Sequence, residues 1–85
     1  MKKLSQMPNI GITLEKLLLT AGIDSPAALQ KLGSQSAFIK LTKVDPTACL
    51  HKLYALEGAI QGHRWHTLPE ERKKELKRFF QNQKE

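Results

Sequence analysis

Residues 8–25, PNIGITLEKLLLTAGIDS, carry the strongest structural signals of this chain, because two turn signals enclose one short apolar segment. The first signal lies at Asn9 and Gly11, and the second lies at Gly22. Thr13 can cap a helix between them, and Gly22 can supply the left-handed residue that ends it. The apolar residues recur at helical spacing and predict the buried face, which comprises Leu14, Leu17, Leu18 and Ala21.

Two short helices are predicted after this segment. For the first, Ser25 is the N-cap, Pro26 occupies the first helical position, and Gly33 ends the helix. The second lies in residues 34–43, SQSAFIKLTK. Its apolar residues, which predict its buried side, are Ala37, Phe38 and Leu41.

The longest predicted helix lies in residues 45–62, DPTACLHKLYALEGAIQG. Asp45 caps it, Pro46 starts it, and Gly62 ends it. Its apolar stripe comprises Cys49, Leu53, Leu56 and Ile60, with Leu50 and Ala59 beside it. We therefore expect this helix to form the spine of the core.

The last predicted helix begins near Thr67, which has capping-box spacing with Glu70. Its apolar face comprises Leu76, Phe79 and Phe80. Residues 81–85 are expected to fray. Because no segment alternates apolar and polar residues over a useful length, no strand is expected. The sequence thus predicts one all-α domain, residues 1–85, built as a small bundle of about five helices.

The composition favours an acidic partner. Lys and Arg outnumber Asp and Glu by 14 to 8, which gives a formal net charge of +6, and a basic balance is typical of proteins that bind nucleic acid. The single cysteine, Cys49, cannot form an internal disulfide. Since neither a signal peptide nor an apolar run of membrane-spanning length is found, we expect a cytoplasmic protein without a membrane partner.

No group of residues suggests catalysis. The sequence contains no nucleophile with an adjacent base, no Gly-rich phosphate loop with a lysine and no carboxylate pair across a cleft. His51, His63 and His66 lack the Cys pair or carboxylate motif of a zinc site. We therefore expect a protein that is not an enzyme and that has no catalytic residues, no cofactor and no metal. Trp65 is expected to plug the core, and Cys49 to be buried and inert.

The turn Asn9-Ile10-Gly11 is a candidate binding element. Asn9 or Gly11 can adopt a positive φ, and successive amides in such a turn can converge into an anion-binding nest. The helix that follows adds free N–H groups that favour a phosphate. The alternative is that the turn only lets two helices pack at a steep angle.

The basic run RKKELKR, residues 72–78, is a second candidate. At helical spacing Lys73, Lys74 and Lys77 share a side of the last helix, which could cover phosphates. The alternative is a solvated outer face in which interleaved glutamates pair with the basic side chains.

Two blocks of the sequence resemble the C-terminal domain of the TfoX/Sxy competence regulators. They are MPNIGITLEKLLLTAGIDSPAALQKLG, residues 7–33, and LYALEGAIQGHRWHTLP, residues 53–69. The resemblance covers nearly the whole chain and implies a small all-α domain linked to the regulation of DNA uptake and transformation. Longer members of the family also carry an N-terminal α+β domain, and we expect this chain to be a free-standing member.

The first block also resembles a helix-hairpin-helix motif, in which a hairpin between two helices approaches the DNA backbone without reading sequence. The resemblance thus implies double-stranded DNA as a partner. Asn9, Ile10 and Gly11 line up with that hairpin. We expect the nucleic-acid-binding residues to be these three with Thr13 and the nearby Lys16, joined by Lys73, Lys74 and Lys77 only if the last helix folds alongside. Asn9 replaces the first hairpin glycine, and Ile12 places an apolar residue at the tip. This tip favours the alternative function, a module that binds a regulatory protein or a second copy of itself and no nucleic acid.

Overall fold

The computed structural model describes residues 3–83, which form five α-helices and two short 3₁₀ helices. In chain order these are η1 (Leu4–Gln6), α1 (Ile12–Thr20), α2 (Pro26–Leu32), α3 (Ser34–Val44), α4 (Leu50–Gln61), η2 (Trp65–Thr67) and α5 (Glu70–Gln83). No strand occurs in these residues, so the predicted all-α fold is confirmed. Within the same part of the chain, no helix has both the length and the apolar character that a membrane span requires.

Helix α4 is the spine of the fold, as predicted. It packs against α2, α3, α5 and η2, whereas α1 packs against α3 and η1. Leu53 and Leu56 of α4 have no exposed surface. The other helices and the loop after α1 surround them with fully buried residues, namely Leu18, Ile23, Leu29, Phe38, Leu41 and Leu76.

Local signals set the boundaries of α2. The Ser25 hydroxyl accepts a hydrogen bond from the Ala28 backbone N–H at 3.1 Å, which makes Ser25 the N-cap that the sequence predicts. Gly33 has a φ of +82° and ends the helix. The predicted cap of α1 is wrong, because Gly11 and not Thr13 holds the N-cap position.

The start of α4 also differs from the prediction. Asp45 is the C-cap of α3, and its carboxylate accepts hydrogen bonds from the backbone N–H and the hydroxyl of Thr47. This local turn uses the side chain that was expected to cap α4. Helix α4 therefore begins at Leu50, and Cys49 becomes its N-cap. Cys49 is exposed, so the prediction that it is buried is wrong.

The predicted capping box of α5 is wrong for a similar reason. Thr67 lies in η2, where its hydroxyl donates to the backbone carbonyl of Arg64 at 2.8 Å. The helix starts at Glu70, so Thr67 is too far from the first turn to cap it. The apolar face has the predicted members, with Leu76 fully buried and Phe79 and Phe80 half-buried. Of the segment expected to fray, residues 81–83 are helical and residues 84–85 lie outside the described part.

A buried carboxylate joins three helices. Glu57 of α4 is only 6% exposed, and its Oε1 accepts hydrogen bonds from the Ser34 hydroxyl of α3 at 2.6 Å and from Arg72 Nη2 of α5 at 3.0 Å. Gln61 Nε2 donates to the other oxygen. Burial acts to raise the pKa of Glu57, but the hydrogen bonds from Arg72, Ser34 and Gln61 outweigh it and hold that pKa below its ordinary value. Arg72, the first residue of the basic run, thus has a structural role.

Candidate nucleic-acid interface

The turn before α1 has its positive φ at Asn9. Asn9 is left-handed, with a φ of +69°, whereas Gly11 is extended, with a φ of −92° and a ψ of −176°. The side chain of Ile10 points into the core and is 4% exposed. The segment before the turn is the three-residue η1, so the described residues do not place an α-helix on both sides of it.

The Asn9 side chain locks this turn to the loop that follows α4. Its Nδ2 donates to the His63 carbonyl at 2.8 Å, and its Oδ1 accepts from the Trp65 N–H at 3.1 Å. Gly58 of α4 lies directly beneath, where an added Cβ would be 2.5 Å from Asn9 Nδ2 and 2.7 Å from the His63 carbonyl oxygen. We call these four residues the asparagine lock. The lock joins the two blocks that resemble the family, residues 7–33 and residues 53–69, and it gives both polar atoms of the Asn9 side chain partners within the fold.

A groove of about 570 Å³ lies beside the lock, between the start of α1, the first half of α4 and the start of η2. We call it the basic groove. Its lining consists of Asn9, Gly11, Ile12, Thr13, Leu14, His51, Lys52, Ala55, Arg64 and Trp65. Three of these residues are basic or can become cationic, and no Asp or Glu of residues 3–83 lines the groove. Such a surface attracts anions.

The three groove residues that can carry positive charge differ in how far that charge is already compensated. Lys52 Nζ lies 2.5 Å from the Asp45 carboxylate, so its charge is shared. Arg64 is exposed and forms no ion pair within the described part of the chain. The third, His51, packs its ring 5.3 Å from that of Trp65. Arg64 is therefore the strongest cation available to a ligand in the groove.

The start of α1 adds hydrogen-bond donors to the same groove. Gly11 holds the N-cap position without a side chain, so no side-chain cap satisfies the first N–H groups of the helix. Ile12 and Thr13, the first two helical residues, are both exposed. Free N–H groups at a helix start carry a partial positive charge, which adds to that of the basic side chains.

Trp65 has a mixed environment and is not the core plug that was predicted. It is half-buried and packs against the core, but it also lines the groove. Its ring stacks on Tyr54 with centroids 5.8 Å apart and planes 14° apart, and Lys73 Nζ lies 5.8 Å from its centroid. The ring is thus held in one position by neighbours from α4 and α5.

The structure brings together only part of the predicted binding set. Gly11 and Thr13 line the basic groove, as does Asn9, but Ile10 is buried. Lys16 is exposed on α1 and does not line the groove.

The three lysines of α5 are also separated. Lys73 donates to the His66 carbonyl at 3.0 Å and lies 3.7 Å from Glu70, which ties it to η2. Lys74 and Lys77 are exposed and do not line the groove. The residues that sequence reasoning missed are His51, Lys52 and Arg64. The available signal was the GHRWH segment, which was considered only for metal binding. In residues 3–83 no group of three or more potential ligands converges on a metal position.

Comparisons with known proteins identify a family for this chain. Residues 1–80 match the sequence pattern of the TfoX C-terminal domain. Protein Sxy of Escherichia coli (strain K12) is 33% identical over 75 residues, which cover 88% of this chain and 36% of Sxy. The chain therefore spans about a third of the length of that relative.

Two crystal structures from Listeria monocytogenes share the fold. An uncharacterized protein in a triclinic form has a TM-score of 0.96 and 48% identity, with 98% of this chain and 94% of that chain covered. A protein of unknown function in a tetragonal form has a TM-score of 0.90 and 50% identity, with 92% and 96% covered. From the match over residues 1–80 and the likeness to Sxy, the chain belongs to the TfoX C-terminal domain family.

Proposed function

We propose that this domain is a non-enzymatic regulatory module that binds the phosphate backbone of DNA through the basic groove, without reading sequence, and that it acts in the control of competence. Its family membership supports the regulatory role. The observation that carries the binding proposal is the groove itself, which has basic side chains and the uncapped start of α1 but no lining carboxylate among residues 3–83.

Backbone binding suits the distribution of these groups. Phosphate contacts position a protein on DNA and need only cations and N–H donors, whereas sequence reading needs side chains that reach base edges. The net charge of +6 supports association with a polyanion at long range. Compared with the hairpin contact that the resemblance implied, the proposed contact keeps Asn9, Gly11 and Thr13, which line the groove, and leaves out Ile10, which is buried, and Lys16, which lies outside the groove.

The exposure of Ile12 favours a second candidate, a protein-interaction or dimerisation module. Ile12 is 67% exposed at the edge of the groove, and Leu19 on the same helix is 48% exposed. A second copy or a regulatory protein could cover such residues. Sedimentation over a range of protein concentrations tests for self-association, and DNA binding at low salt separates this candidate from the leading one.

Arg64→Ala is expected to weaken binding to duplex DNA and to reduce the slope of log affinity against log salt by about one unit. Lys31→Ala is the matched control, because it removes one positive charge from an exposed residue of α2 that does not line the groove. Lys16→Ala tests whether α1 adds a phosphate contact outside the groove. Fluorescence anisotropy with a labelled duplex gives the affinities. If Arg64→Ala and Lys31→Ala lose the same affinity for duplex DNA, the binding depends only on the net charge of the protein and not on the groove. No binding by the parent at low salt would leave the protein-interaction candidate.

Gly11→Asp and Gly11→Asn form a pair that separates binding from stability. Gly11 has a negative φ, and a Cβ there would meet no atom within 4 Å, so neither variant is strained. Asp and Asn are both good N-caps, and we expect each to change stability by only a few tenths of a kcal/mol, as measured by thermal unfolding.

Only Gly11→Asp is expected to lose DNA affinity, because it places a carboxylate where the phosphate would lie. Anisotropy titrations of both variants measure this difference. If the Asp and Asn variants bind DNA equally well, the start of α1 does not contact phosphate.

A further inference from the structure

The basic groove has an apolar wall that phosphate binding does not explain. Ile12 is 67% exposed, and Trp65 is half-buried with its ring held in place. Both residues line the groove, and no carboxylate of residues 3–83 lines it. A DNA duplex turns its phosphates outward and keeps its bases stacked inside, so an apolar wall contributes little to backbone contact with a duplex.

We propose that the basic groove holds an unpaired nucleotide of a single-stranded nucleic acid, with the base against Ile12 and Trp65 and the adjoining phosphate at Arg64. This inference rests on the proposed function and names the form of nucleic acid that it would take. Proteins that bind single strands without sequence preference combine a cationic track with apolar or aromatic surfaces for bases. The groove places both within one site.

The size and rigidity of the groove fit this ligand. Its volume of about 570 Å³ is of the size of small-molecule sites, and the groove is open to solvent, so a polymer can enter it from the side. The Trp65 ring is stacked on Tyr54, and its backbone N–H is held by Asn9. Since the Trp65 ring is already held in place, little conformational entropy of this side chain is lost when a base packs against it.

Charge and surface chemistry favour a nucleotide over an acidic peptide, which is the other polymer that an apolar and cationic groove could accept. Lys52 already has a carboxylate partner in Asp45, which leaves Arg64 as the main cation for one further anionic group. A nucleotide offers one phosphate beside one flat ring, which matches the groove as residues 3–83 form it, with Arg64 as the cation outside any ion pair and one apolar wall beside it. An acidic peptide is therefore an outcome that the test must exclude.

The test compares an oligothymidylate with an abasic oligonucleotide of the same length, which has the same phosphates but no bases. We expect the oligothymidylate to bind about tenfold more tightly. It should also change the fluorescence of Trp65, the single tryptophan of the chain. Ile12→Ser should reduce affinity for the oligothymidylate several-fold and leave affinity for the abasic strand unchanged. Leu19→Ser is the control, because it removes an exposed apolar residue that does not line the groove.

The outcomes distinguish this inference from the function on which it rests. If the oligothymidylate and the abasic strand bind equally, the base contact is overturned while phosphate binding stands. If polyglutamate displaces the oligothymidylate as readily as unlabelled oligothymidylate does, the groove accepts acidic polymers in general and the inference fails. If neither single strands nor duplex bind at low salt, the proposed function fails as well.

Discussion

Gly58→Ala is expected to destabilise the domain by roughly 2–4 kcal/mol, because it forces a methyl group into the asparagine lock. The new Cβ would lie 2.5 Å from Asn9 Nδ2 and 2.7 Å from the His63 carbonyl oxygen. The first atom can move only by giving up its hydrogen bond, and the second belongs to the backbone. Chemical denaturation measures the loss, and thermal unfolding should show a melting temperature lower by about 4–8 °C for each kcal/mol.

Two further variants test whether the lock is the cause. Gly11→Ala adds the same methyl group where it would meet no atom within 4 Å, and is expected to cost well under half as much. Asn9→Gly removes the amide but keeps a residue that tolerates the φ of +69°. In the double variant with Gly58→Ala, the losses should be less than additive, since the amide can be lost only once. Strict additivity would show that Asn9 and Gly58 do not share the contact.

The sequence was sufficient to predict the end of a helix where the signal for that end is local. Ser25 caps α2, and Gly33 ends it, because both effects involve atoms within one helical turn. Asp45 and Thr67 carry side-chain oxygens that can accept a hydrogen bond as that of Ser25 does, yet these side chains close local turns and do not cap the start of a helix. A short polar side chain can form the hydrogen bond of a helix N-cap or that of a local turn. The choice between them depends on the packing of the flanking helices, which sequence spacing does not report.

Only one side of the candidate site, the turn and the start of α1, was predictable from the sequence. The turn and the start of α1 lie within a few residues of each other, and the sequence pattern indicates both. The opposite side of the groove comes from His51 and Lys52 of α4 and from Arg64, which precedes η2, and these residues reach the groove through the packing of α4 and η2. The contact that fixes this register joins Asn9 to His63 and depends on a glycine in α4. No periodicity within either segment indicates such a pairing.

Glu57→Ala is expected to cost about 3 kcal/mol, since it removes the buried carboxylate partner of Arg72 and the acceptor of Ser34 and Gln61. Arg72 then keeps only the more distant and exposed carboxylate of Glu75, at 3.6 Å, among the described residues. Removing one partner of a buried ion pair is expensive because the other charge is left uncompensated. The Arg72 side chain is 31% exposed, so water partly compensates its charge, which places the estimate at the lower end of the usual range. Chemical denaturation at neutral pH measures the loss.

The same carboxylate makes stability depend on pH, and Glu57→Gln isolates its share. The pKa of Glu57 is lowered from 4.5 in the folded state, so its stabilisation is complete above about pH 4.5 and is lost as the pH falls through the folded value. Asp45 also has a lowered pKa and acts in the same acidic range, so the parent profile alone does not separate the two. Glutamine keeps the shape and one acceptor oxygen but cannot ionise. The parent should therefore exceed Glu57→Gln in stability most clearly near neutral pH, and the gap should narrow steadily below pH 4.5. Parallel profiles down to strong acid would mean that the charge of Glu57 contributes nothing, and that its hydrogen bonds alone hold α3 and α5 on α4.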